Sequence, residues 1–294
     1  PTRRSSDLRE PGAQRDAQPI SDVVRGVEER HGQMKDLLLM DNNVVASPNY
    51  RNIIAEIRDL GFHKGAKLLR PGMRVPVARR VDFNQGVDAR ILCKDKMYLQ
   101  EMATIAIKPL RIAFDHVGAR RPYETAIRFA YEAGLHDLSN YMLYNFHDSP
   151  EDLYERMRLN IDLNRELGIR IFSFPMRYQP TDMKDRSHIG EKWSRYELRA
   201  MQIILQATHG IVSGSPKYFE RAFGASTAKF RELLLWPQHF LFNRNWYEEH
   251  DGRAEFEEFQ RDFAKLSASD RDELRELLAA APSEFDSLAS QAKN

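Results

Sequence analysis

The sequence predicts an α/β fold: a parallel sheet of strand and helix units, followed by an all-helical region. Three observations carry this reading. From Ile20 onward short apolar runs alternate with helical patterns, each run ends in a polar tip, and the later runs start about 30 residues apart. Parallel neighbours cannot be joined by a tight turn, so a crossover helix accounts for that spacing.

The runs are Leu37 to Met40, Val81 to Phe83, Leu110 to Phe114, Tyr141 to Tyr144 and Ile169 to Phe174. Between the first two, Ser47-Pro48 opens a helix, because the hydroxyl can cap free amides and proline needs no donor at the first position. Tyr50, Ile53, Ile54, Ile57 and Leu60 line one face of that helix, and Gly61 ends it. Tyr123, Ala126, Ile127 and Ala130 line a second helix that stops near Gly134, and Ser149-Pro150 opens a third that closes near Gly168.

Beyond about Arg186 the strand signal stops. Helical stripes follow at Tyr196, Met201, Ile204 and Leu205, then Phe256, Phe259, Phe263 and Leu266, then Leu274, Leu277, Leu278 and Ala281. All three tryptophans lie here, and the aromatic segment from Trp236 to Tyr247 reads as helical core with polar ends, or alternatively as a wall of a substrate site. The organisation expected is a leader over 1–19, a sheet unit over 20–186 and a helical region over 187–294. Pro1 to Leu8 is similar to the translation of a sequencing adapter, so the gene is expected to be truncated there.

The 294 residues are 42% hydrophobic and 30% charged, the balance of a chain that buries a core. Forty-four Lys and Arg oppose 43 Asp and Glu, so the molecule as a whole has no field that would steer it onto nucleic acid or a membrane. No apolar run approaches the roughly 18 residues that span a bilayer, and a cytoplasmic protein is expected. The single cysteine, Cys93, excludes an internal disulfide and a Cys-rich metal site.

Parallel strands bring their polar tips to one edge, where α/β proteins hold ligands. The tips are Asp41-Asn42-Asn43, Asn84-Gln85-Gly86, Asp115-His116, Asn145 with His147 and Asp148, and Met176-Arg177. Such residues also serve as turns and caps. Five together favour a site, and their carboxamides suit the hydroxyls and ring nitrogens of a nucleoside-like ligand. The phosphate-cradling G-x-G-x-x-G and G-x-x-x-x-G-K-[ST] are absent, as are H-E-x-x-H and G-x-S-x-G.

The ordered set Leu39 to Asn43, Val81 to Arg90 (VDFNQGVDAR), Phe114-Asp115, Tyr141 to Asp152 and Phe172 to Tyr178 resembles the radical S-adenosylmethionine superfamily over about 20–180. The resemblance implies strands two to six of a parallel partial (β/α) barrel, missing its first strand. It further implies an enzyme that reductively cleaves S-adenosylmethionine at a 4Fe-4S cluster, taking its electron from a flavodoxin or ferredoxin, to start radical chemistry on an unknown small molecule or peptide. The resemblance places Asp41, Asn42, Asn43, Asn84, Gln85, Asp115, Asn145, Phe174 and Met176 around the cofactor, and Arg90, His147 and Arg177 toward substrate. Asn84, Gln85 and Arg90 can face either. The family's C-x-x-x-C-x-x-C loop is absent here, and Tyr141 to Asn145 replaces its G-x-I-x-G pattern. No cluster, and no activity, is expected of this chain as it stands.

Two other readings compete. A cluster-free barrel hydrolase or lyase would use Asp41, Asp115 or Asp148 as acid or base. A non-catalytic binding protein would use the tips only as turns and the Trp236 to Tyr247 segment as a partner surface.

Overall fold

The computed structural model describes residues 19–40, 43–183, 185, 187–212 and 214–280. It is a mixed α/β protein with parallel strands and a helical C-terminal region. After α1 (Ile20–His31) come β1 (Asp36–Leu39), α2 (Tyr50–Ile57), the short antiparallel pair β2 (Lys67–Leu68) and β3 (Val77–Ala78), β4 (Arg80–Phe83) and β5 (Val87–Asp88). Then follow α3 (Ala89–Leu92), α4 (Met97–Met102), β6 (Leu110–Ala113), α5 (Arg120–Glu132), β7 (Asp137–Tyr144), α6 (Pro150–Leu167) and β8 (Arg170–Arg177).

β1 pairs parallel with β4, and β5, β6, β7 and β8 pair parallel in that order. A parallel bridge from Val81 to Ile107 joins β4 to the segment leading into β6. The expected strands therefore stand in chain order and point the same way. β7 begins four residues before the predicted Tyr141, because Asp137, Ser139 and Asn140 hide the strand from a hydrophobicity pattern.

The sheet has two unlike faces. Leu138, Asn140 and Met142 of β7 and their register partners Ile171, Ser173 and Pro175 of β8 are buried toward α5 and α6. On this side Asn140 Nδ2 donates to the Tyr123 hydroxyl at 2.8 Å, that hydroxyl donates to Asn160 Oδ1 at 2.9 Å, and Asn160 Nδ2 donates to Ser173 Oγ at 2.7 Å. The opposite face carries Leu38, Asp82, Arg111, Ser139, Tyr141, Phe172 and Phe174, and Leu38 at its β1 end is 54% exposed. Parallel sheets are normally covered on both sides, so a half-open face is the unusual feature of this one.

The helices follow their punctuation. α6 starts with a capping box between Ser149 and Asp152, with Pro150 in the first turn, and ends at Gly168, whose φ of 65° suits glycine. α5 buries Tyr123, Ala126, Ile127 and Ala130 as expected. The expectation that Ser47-Pro48 opens α2 is corrected: Ser47 Oγ accepts from Asn49 N, and the helix begins at Tyr50 after a 3-10 turn.

The C-terminal region comprises α7 (Arg195–Ala207), α8 (Pro216–Phe223), α9 (Thr227–Leu234), α10 (Gln238–Phe242), α11 (Arg244–Glu249), α12 (Arg253–Lys265) and α13 (Ala268–Ala280). α8 and α9 pack on α6, α7 packs on α9, α10 and α13, and one hydrophobic cluster runs from Val44 to Phe263. Trp236 and Phe240 are buried against Phe256 and Phe259, as the core alternative expects, whereas Phe242 and Trp246 of the same segment are exposed. Of the stripe predicted on α13, Leu274 and Leu278 are half-buried against the core, Leu277 is corrected to exposed, and Ala281 lies outside the described residues. Among the described residues no helix is long and apolar enough to cross a membrane.

Candidate functional site

Because the strands are parallel and in sequence, the residues after β1, β4, β5, β6, β7 and β8 share the carboxyl edge of the strands. Asp41 and Asn42 lie outside the described residues. Asn43 Oδ1 accepts from Asp88 N at 3.3 Å, tying the end of β1 to β5. Asn84 Nδ2 lies 3.5 Å from Met40 Sδ, across the ends of β4 and β1. Gln85 is exposed in the turn closed by Gly86, whose N–H donates to Phe83 O at 2.8 Å with φ at 81°. Phe174 and the more exposed Met176 belong to the open face.

At the end of β6, Asp115 reaches the surface, and its Oδ1 accepts from Leu143 N of β7 at 3.1 Å. The protein packed on its inner side disfavours the charge and raises its carboxyl above the ordinary value, against the Leu143 N–H and the Arg156 charge. An accessible carboxyl held in this way can accept hydroxyls or exchange a proton.

Asn145 has a structural task that its expected cofactor role did not include. It is fully buried at φ 70°, its Oδ1 accepts from Gly190 N at 2.7 Å, and its Nδ2 donates to Tyr178 O at 3.3 Å and His188 O at 3.1 Å. Both amide hydrogens and the amide oxygen are thus used to fasten Tyr178, His188 and Gly190 over the strand end. Arg177 is engaged in the same place, with Nη2 donating to His188 O at 2.8 Å. Arg90 folds back on Asp88, the cap of its own short helix. His147 is exposed against the Phe146 ring at 3.8 Å.

Asp148, weighed above as an acid or base, is enclosed. Its Oδ2 accepts from Arg156 Nη2 at 2.9 Å and its Oδ1 accepts from Phe146 N at 3.0 Å. Burial raises the Asp148 carboxyl and lowers the Arg156 guanidinium, each partly offset by the other. Arg156 also donates to Phe114 O and Leu143 O, so it clamps the ends of β6 and β7 from below.

Three features escaped the sequence reading. On the open face Arg111 grips Asp82 with two bonds of 2.8 Å, donates to Ser139 Oγ at 3.1 Å and lies 5.3 Å from the Tyr141 ring centre. Hydrogen bonding to Asp82 raises the Arg111 guanidinium further. Arg156 was an unremarked helix residue. Gln179 and His188, in the segment over the edge, hold buried side-chain atoms without hydrogen bonds: both ends of the Gln179 amide and His188 Nε2. Gln179 follows the Met176-Arg177 tip closely enough for the resemblance to have suggested it; nothing linear joins Asp82 to Arg111.

Two clefts lie off the tips. One of about 510 Å³ is lined by Ser47, Tyr50, Tyr98 and Glu101 among others, and one of about 500 Å³ by Ser149, Trp193, Arg231 and Arg275 among others. Cys93 Sγ donates to Arg90 O at 3.4 Å, and among the described residues no three His, Cys, Asp or Glu side chains converge on a metal position. Comparison with protein-family models, curated proteins and solved structures finds no match to this chain.

Proposed function

We propose that this chain is the body of a radical S-adenosylmethionine enzyme of the partial-barrel type, presenting its strand ends to the nucleoside part of S-adenosylmethionine. The observation that carries the reading is the run of parallel strands in chain order, with one face packed on helices and the other half-open toward a common polar edge. Chain-order neighbours belong to barrel-like winding, whereas doubly wound sheets reverse their order at a switch point.

The residues fit the two implied groups differently. A 4Fe-4S cluster held by three thiolates does not fit, because the chain has one cysteine and that thiol faces a backbone carbonyl. For the nucleoside, Asp115 offers an accessible carboxylate to ribose hydroxyls, Asn84 follows β4 on the same edge, and Gln179, just past the end of β8, has an unsatisfied amide. By the resemblance, the electron comes from a flavodoxin or ferredoxin and the radical acts on a small molecule or peptide.

Calorimetric titration with 5′-deoxyadenosine tests this edge without the cluster. Binding that weakens roughly tenfold or more in Asp115→Ala, the usual cost of losing a hydrogen bond to a charged group, is the expected result. Absence of binding to a folded chain overturns the reading. A second reading, a cluster-free acid–base enzyme, draws on the raised carboxyl of accessible Asp115. It requires turnover in air without iron, abolished by Asp115→Asn.

A further inference from the structure

From Phe62 to Val81 the chain carries six Lys and Arg and no Asp or Glu, although the whole molecule has a net charge of only +1. Arg79 turns inward: it is 7% exposed, donates from Nη1 to Leu60 O at 3.0 Å and covers the Phe62 ring at 4.5 Å. The other five, Lys64, Lys67, Arg70, Arg74 and Arg80, are exposed, and none pairs with a carboxylate of the described residues. Elsewhere surface cations are commonly paired, as Arg128 is with Glu166 and Arg221 with Glu248.

These cations sit on or beside the β2–β3 hairpin, whose tip holds a closed turn. Met73 N donates to Arg70 O at 3.0 Å across Pro71-Gly72, with Gly72 at φ 83°, so proline presets one turn position and glycine permits the next. The ladder below pairs Lys67 with Ala78 and Leu68 with Val77. Between the cations Leu69, Met73 and Val75 stand out at 59%, 44% and 70% exposure. Only Arg79 separates β3 from the first residue of β4, so the hairpin projects from the amino edge of the strands, away from the tips.

We infer that this hairpin docks the protein on an anionic phospholipid bilayer. Leu69, Met73 and Val75 enter the headgroup boundary, and Lys64, Lys67, Arg70, Arg74 and Arg80 lie against the lipid charges. Complementary charge is the main argument, since each cation near an anionic leaflet multiplies affinity roughly fivefold. Composition selects lipid over other polyanions. From Lys67 to Ala78 there is no Ser, Thr, Asn, Gln or aromatic side chain. Single-stranded nucleic acid is held on aromatic platforms, and protein interfaces use aromatic and hydrogen-bonding anchors that this hairpin lacks. Whole-molecule neutrality is no objection, because beyond about 10 Å salt screens the compensating acidic residues. Docking by the amino edge leaves the tips free.

Co-sedimentation of the full chain with vesicles tests this. Association is expected with phosphatidylcholine containing about one-third phosphatidylserine, not with phosphatidylcholine alone, and it is lost in high salt. Arg70→Glu/Arg74→Glu is expected to weaken it by about thirtyfold or more. Leu69→Ser/Val75→Ser is expected to weaken it by about tenfold. An unchanged melting temperature shows that either variant is folded. Equal association with both vesicle types, unaltered association of both variants, or binding to an RNA oligonucleotide or polyglutamate without binding to vesicles overturns the inference.

Discussion

Arg156 and Asp148 form a 2.9 Å ion pair shut off from water, with side chains 0% and 4% exposed. The pair lies under the two strand ends that shape the candidate site. Arg156 holds the carbonyl of Phe114, next to Asp115, and the carbonyl of Leu143, whose N–H holds the Asp115 carboxylate. Rim geometry therefore depends on a buried charge.

Breaking this pair is costly because the surviving charge is left in a dry interior. Arg156→Met is expected to lower unfolding stability by about 3–5 kcal/mol, measured by urea denaturation. Arg156→Met/Asp148→Asn should recover part of that loss, since the stranded carboxylate is gone, while the carbonyls of Phe114 and Leu143 stay unsatisfied. Strictly additive losses would show that the two residues do not act as a pair.

The buried chain of Asn140, Tyr123, Asn160 and Ser173 joins the sheet to α5 and α6 through one phenol. Burial pushes that phenol up from its ordinary pKa, so it stays protonated and donates. Tyr123→Phe keeps the ring stacked on Phe114 at 4.2 Å but removes the bonds to both amides. A loss of about 1–3 kcal/mol is expected, and an unchanged urea midpoint would contradict the hydrogen-bond assignment.

Elements whose burial follows an apolar period were legible: Val81 and Phe83, Leu110 and Ile112, and Ile171 all face the core in strands close to those predicted. Asn140 and Ser139 were not, since a polar residue can be buried when a partner arrives from a distant element, and Arg111 and Tyr123 supply those partners. The β2–β3 hairpin was missed because Pro71-Gly72 among arginines carries no strand alternation. At the candidate site the common edge followed from parallel order. Which tips face outward did not: Asn145 and Asp115 are both polar residues at the ends of strands, and only tertiary contacts make one a staple and the other a rim carboxylate.

Gly190 is needed where the 178–190 segment crosses the strand ends. A Cβ there would lie 2.9 Å from the carbonyl atoms of Asn145 and the carbonyl oxygen of Phe146, backbone that has no room to yield. Gly190→Ala should therefore pull the Gly190 N–H off Asn145 Oδ1 and free the segment. Limited proteolysis is expected to cut between 178 and 190 faster in this variant than in the parent, with a stability loss of about 1–3 kcal/mol. Equal cutting rates would count against the staple.

Asp115 sets a pH dependence whose sign is fixed. Its folded carboxyl is raised above the ordinary value of 3.8, chiefly by burial of its inner side. Between those two values the native state binds more protons than the unfolded chain, so this residue's contribution to stability falls as pH rises through the window. Above the window the ionised carboxylate carries its full penalty. Asp115→Asn keeps an acceptor for Leu143 N without that charge. The variant is expected to melt at a higher temperature than the parent at neutral pH, with the gap closing as acid protonates Asp115 in both states. A gap that is constant across the series, or reversed at neutral pH, would mean that the carboxylate is stabilised where it stands, and the proton-exchange role available to it at the rim would go with it.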